Sequence, residues 1–96
     1  MGRDLLVQRL RESRAVWEPY GVTALHLFGS AVRDELRDDS DIDLLVEFGR
    51  PVGLFEFVRL RRTLELLLGR RVDLVTTRAL KRQLRDKILA EAIRAA

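Results

Sequence analysis

The chain has 96 residues, 47% of them hydrophobic and 34% charged, with a formal net charge of +3 and no cysteine. That length supports one domain, residues 1–96, with a modest core and no room for a second. Disulfides and thiolate metal sites are excluded, and the charges scattered through Met1 to Arg11 break up any signal-peptide or membrane-spanning run, so a cytoplasmic protein is expected.

Leu6, Leu10 and Trp17 fall on one side of a first helix, which Pro19-Tyr20-Gly21 ends. Thr23 to Phe28 is short, apolar and rich in strand formers, predicting a first strand over 23–28. Gly29-Ser30 then turns the chain, Ala31 to Leu36 can start a short helix, and 37–40 is a polar loop. A second strand runs from about 41 to 48 and is broken by Gly49-Arg50-Pro51. Over 54–68, Phe57, Leu60, Leu64, Leu67 and Leu68 form one helical stripe, which stops at Gly69. A third strand is predicted over 71–76, and Thr77 is expected to cap a last helix carrying Leu80, Leu84, Ile88 and Ala92 on one face. The order α-β-α-β-α-β-α implies an α/β (α+β) fold, a small mixed sheet of about three strands flanked by about four helices.

The chemistry concentrates between the first two strands. Residues two apart on a strand share a face, roughly 6.6 Å apart, so Asp41 and Asp43 project together. Two carboxylates so close repel unless one takes a proton or a cation lies between them. Mg²⁺ suits the pair, because it takes oxygen ligands and is commonly shared between one or two carboxylates and substrate phosphates. Upstream, Gly29 lets the backbone approach a phosphate, and Ser30 adds a hydroxyl at a helix start. Asp73, an acid within the apolar run Arg71 to Thr76, is the best candidate for a third carboxylate. Three carboxylates could hold two metal ions about 3.5–4 Å apart for an in-line displacement at phosphorus.

These residues resemble the polymerase-beta-like nucleotidyltransferase superfamily and, within it, the minimal nucleotidyltransferase group. That group carries Gly-Ser, ten residues, then Asp-x-Asp; here Gly29-Ser30 precede Ala31 to Ser40 and then Asp41-Ile42-Asp43, while Asp73 matches the later third carboxylate. The resemblance covers most of the chain, and its one local departure is Asp34, where many relatives have glycine. It implies that the first two strands are antiparallel and that the third brings Asp73 beside the pair. It implies an enzyme that transfers AMP from ATP to a hydroxyl, with Asp41, Asp43 and Asp73 on two Mg²⁺ ions and Gly29-Ser30 on the β- and γ-phosphates. The implied acceptor is a tyrosine of a HEPN-type ribonuclease toxin encoded next door, which the protein would counter as an antitoxin. Two other readings stay open: an antitoxin acting by complex formation without catalysis, and a small-molecule nucleotidyltransferase whose acceptor pocket is built by a homodimer.

Other residues have plainer readings beside the functional one. Gly29-Ser30 alone would be a helix-starting turn. Arg33, one helical turn after Ser30, could reach a phosphate, or pair in the neighbourhood of Asp34 or with Asp41. Ser40 shapes the loop or touches nucleotide, Asp38 and Asp39 are solvated, and His26 reads as a packed core residue rather than a base. Trp17 and Tyr20 read as packing. Charge is split along the chain: residues 1–48 hold 6 basic and 10 acidic side chains, net −4, and residues 49–96 hold 12 and 5, net +7. The basic half reads as solvated helix faces, or as a surface for triphosphate, nucleic acid or an acidic protein; the lack of interleaved aromatics argues against nucleic acid.

Overall fold

The apolar stripe at the N-terminus folds as two helices rather than one. The computed structural model, which describes residues 2–33, 37, 40–80 and 82–96, has α1 at Arg3–Glu12 and α2 at Arg14–Trp17. Ser13 separates them with φ −104° and ψ 20°, outside the helical region, while its N–H still reaches the Arg9 and Leu10 carbonyls. The break brings Trp17 back toward α1, where its indole is fully buried and Nε1 donates to the Leu10 carbonyl at 2.8 Å. Pro19 then sits in a tight turn over Glu18–Tyr20 that leads into the sheet.

Four strands follow: β1 at Val22–Phe28, β2 at Ile42–Phe48, β3 at Val72–Thr76 and β4 at Ile93–Arg94, in the order β3-β2-β1-β4. The expected mixed sheet is present: β1 runs antiparallel to β2, whereas β2 and β3 are parallel. A parallel pair needs a long crossover, and α3 at Leu54–Leu68 supplies it. That helix ends where expected, at Gly69, whose φ of +71° suits glycine and whose N–H bonds the Glu65 carbonyl.

Alternation along the strands decides which side chains meet α3. Leu25 and Leu27 of β1 and Ile42, Leu44 and Val46 of β2 join Leu60, Leu64 and Leu68 of α3, together with Leu6, Leu10 and Trp17, in one buried cluster. Each fully buried leucine contributes about 1.5–3 kcal/mol of transfer free energy. The same period sends Asp43 and Leu45 of β2, and Asp73 and Val75 of β3, to the opposite face of the sheet.

Three expectations need correction. The sheet has a fourth strand: Ile93 and Arg94 pair with Leu27 and His26, and beyond them Leu25 and Ala96 exchange backbone bonds of 3.1 and 3.2 Å. Thr77 does not cap the last helix, because Thr76 Oγ1 accepts from the Ala79 N–H at 3.2 Å and closes a tight turn over Thr77–Ala79; the helix, α4, begins only at Arg82. The stretch after Ser30 starts as a tight turn over Gly29–Ala31 rather than an α-helix. Residues 34–36 of that expected helix lie outside the described residues, as do Asp34, Asp38, Asp39 and the Leu84 side chain. Among the described residues no helix is long and apolar enough to cross a membrane.

Candidate active site

Strand register brings the carboxylates together. Asp43 lies directly beside Asp73 across the parallel β2–β3 ladder, and Asp41 immediately precedes β2. On the other side, Phe28 at the end of β1 is the register partner of Asp43, so the chain leaves β1 and turns at Gly29 against that carboxylate. Gly29 has φ +66°, and a Cβ built there would collide with Asp43 Oδ2. Only glycine satisfies both the backbone conformation and the close approach.

Crowding sets the electrostatics. The Asp43 carboxyl is pushed up to about 6, first by burial, then by the charges of Asp73 and Asp41 and by a hydrogen bond to Asp73; the Arg33 cation pulls the other way. A cation bound beside Asp43 would offset the crowding that raises its carboxyl. The donors are all oxygen, and Mg²⁺ asks for only one or two carboxylates because it keeps several waters. The residues therefore fit that ion. They do not form a closed cage: among the described residues no three acidic or histidine side chains converge on one point. Asp41 instead pairs through Oδ1 with Arg71 Nε at 3.4 Å.

The remaining candidates fall into place around these three. Ser30 is half-buried in the turn after β1, and its hydroxyl makes no hydrogen bond within the protein among the described residues. Arg33 pairs with Glu91 of α4 at 2.7 Å while its charge reaches Asp43, so it stands between the site and α4. Ser40 shapes its loop: its Oγ accepts from the Arg37 N–H at 3.1 Å, and its own N–H bonds the Arg37 carbonyl. His26 is not a core residue. It is half-buried, outside the main cluster, with Nε2 3.1 Å from Glu47 Oε2. Sequence reasoning passed over Arg71 as the partner of Asp41 and Glu91 as the partner of Arg33. Both contacts join segments distant in the chain, and an exposed arginine carries no periodic signal of its partner.

A turn at Gly29 pressed on Asp43, an Asp-x-Asp pair opening β2 and a third acid on the neighbouring parallel strand define, with this sheet, a nucleotidyltransferase. The model of the family described as "Nucleotidyltransferase domain" matches residues 8–95, and the chain belongs to that family. It is 43% identical over 76 residues to the protein adenylyltransferase MntA of Thermococcus cleftensis, covering 79% of this chain and 77% of the relative. A solved structure described as a minimal nucleotidyltransferase superposes with a TM-score of 0.83 at 41% identity, covering 97% of this chain and 95% of that one. A more distant match, with TM-score 0.70 and 19% identity over 98% of this chain and 71% of the other, is a complex of a tri-AMPylated HEPN toxin from Shewanella oneidensis with its MNT antitoxin. At that identity the likeness speaks for the fold.

Proposed function

We propose that the protein transfers AMP from ATP, with Mg²⁺, to a tyrosine hydroxyl of a HEPN-type toxin and so acts as its antitoxin. The observation that carries this reading is the register of Asp43 beside Asp73 with the Gly29 backbone pressed on the same carboxylate. The naming of the Thermococcus cleftensis relative as a protein adenylyltransferase, and of the Shewanella complex as an AMPylated toxin with its antitoxin, supports the choice of donor and acceptor.

Asp41, Asp43 and Asp73 would hold the metal, whose charge would offset the crowding that raises the Asp43 carboxyl. Bound there, Mg²⁺ would neutralise phosphate charge and lower the pKa of the attacking hydroxyl. The turn at Gly29 and Ser30 offers backbone N–H groups and the Ser30 hydroxyl to the β- and γ-phosphates, keeping the α-phosphorus beside the carboxylates. The acceptor oxygen forms its bond to that phosphorus as the bond to pyrophosphate breaks, and the hydroxyl proton leaves with solvent. Asp73 lies on β3, the edge strand, and is exposed, so an acceptor can approach from its side. Positioning and charge neutralisation supply most of such catalysis.

The test is to incubate the purified protein with Mg²⁺, radiolabelled ATP and the product of the neighbouring gene, beside an Asp41→Asn/Asp43→Asn control. Label on the partner that needs both carboxylates, at a tyrosine by mass spectrometry, is the expected result. A tight complex without label would leave neutralisation by binding as the activity; label on small acceptors alone would make it a small-molecule transferase.

A further inference from the structure

We propose that the acceptor protein docks, through an acidic surface bearing an apolar anchor, onto a hollow at the C-terminal end of α3; the inference rests on the reading that the acceptor is a protein. The hollow is shallow and open, with a volume of about 480 Å³, and is lined by Arg62, Glu65, Leu66, Gly69, Arg70 and Arg71.

Its position is the first reason. Arg71 forms its rim and is the residue paired with Asp41 at 3.4 Å, and the Arg71 carbonyl accepts the Ile42 N–H at 2.9 Å, tying the entry of β3 to the entry of β2. A protein seated in the hollow therefore borders Asp41, at the edge of the carboxylate site.

Charge is the second reason. Three arginines line the hollow against one acid, and Glu65 is already engaged, accepting the Val72 N–H at 3.0 Å. Arg70 donates to the neutral carbonyl of Arg37, and Arg62 has no acidic partner among the described residues. With Arg71 paired to Asp41, Arg62 and Arg70 are left for an external anion. The third reason is Leu66, which is 87% exposed in the middle of them, the highest value among the exposed large apolar side chains described. An apolar anchor ringed by arginines has the make-up of a protein interface, where a few buried side chains carry most of the affinity and the charges steer the approach. No aromatic side chain lines the hollow, so it lacks a stacking platform for bases.

Arg62→Glu and Leu66→Asp alter exposed side chains outside the carboxylate site. Titration calorimetry against the product of the neighbouring gene should show each weakening the complex about tenfold or more, with MgATP affinity unchanged and label transfer falling in step. Arg62→Lys should keep wild-type affinity, and raising salt should weaken the wild-type complex more than the Arg62→Glu complex. If the wild type labels the partner and both variants bind it equally well, the docking surface is wrong and the activity stands. If the wild type neither binds nor labels the partner, the adenylylation reading falls and the docking proposal with it. Loss of binding to a single-stranded RNA oligonucleotide, with partner affinity intact, would also overturn the proposal and make the hollow a nucleic-acid contact.

Discussion

Replacing Asp43 by asparagine should make the metal-free protein more stable while abolishing transfer. The carboxyl moves from an ordinary 3.8 to about 6 on folding. Because the folded pKa is the higher one, the native state binds the proton more tightly, and the stability this confers is complete below the unfolded value and lost as pH rises through about 6. The full difference corresponds to about 3 kcal/mol at neutral pH, and screening by solvent at this part-exposed group reduces it to about 1–2 kcal/mol. Asparagine keeps the shape and can still donate to Asp73, but carries no charge to repel it. In EDTA at pH 7.5 the variant should therefore melt above the wild type by roughly 5–10 °C for a domain of this size. The gap should halve near pH 5 and close toward pH 4. Saturating Mg²⁺ should narrow or reverse it by stabilising only the wild-type native state. Differential scanning calorimetry across pH 4–8, with and without Mg²⁺, measures all three effects. An Asp43→Asn protein that melts below the wild type in EDTA at pH 7.5 would show that the carboxylate is paired favourably, and would refute the crowding argument.

The same proton makes metal affinity depend on pH: Mg²⁺ must displace it, so affinity measured by titration calorimetry should be about tenfold weaker at pH 5 than at pH 7 and level off above pH 7. Gly29→Ala should cost about 1–3 kcal/mol in urea melts, because φ +66° strains an L residue and the new Cβ strikes Asp43, and it should lower transfer more than it lowers stability. Leu64→Ala, at a fully buried site where α3 meets the sheet, should cost about 2–5 kcal/mol, a large share of the stability of a small domain, and the loss should appear as a lower urea midpoint.

The parts of the fold with a regular period were legible from the residues. Leu60, Leu64 and Leu68 mark the buried stripe of α3, and Ile42, Leu44 and Val46 alternate with Asp43 so that one strand serves two faces. Asp41 and Asp43 stood out by their two-residue spacing and their distance from Gly29-Ser30, and Asp73 because an acid inside an apolar run is costly without a partner. What escaped depends on distant or single-residue events. β4 has two residues and exists only because β1 offers it an open edge. Ser13 splits the first helix without a proline or glycine to announce it. Thr76 and Thr77 are neighbours with the same cap-forming chemistry, and only the extended backbone at Thr76 decides that its hydroxyl closes the turn. The Arg33–Glu91 pair spans 58 residues, and exposed ion pairs of this kind add so little energy that they leave no compositional trace.

The division of labour within β2 explains how a domain this small can hold such a costly site. Ile42, Leu44 and Val46 are buried against α3, which fixes the strand from one side. Asp43, between them, points to the other side and meets Asp73 on β3 and Gly29 after β1. Its position is therefore set by packing that it takes no part in. Relaxing the carboxylate repulsion would require β2 to shift against its neighbours, and a shift of one residue would turn Ile42 and Leu44 out of the core. Burial of those side chains outweighs the about 1–2 kcal/mol that it costs to hold the Asp43 carboxylate there, through its own burial first and the neighbouring acids second, so the carboxylates stay in register and that cost remains available to be relieved by a cation.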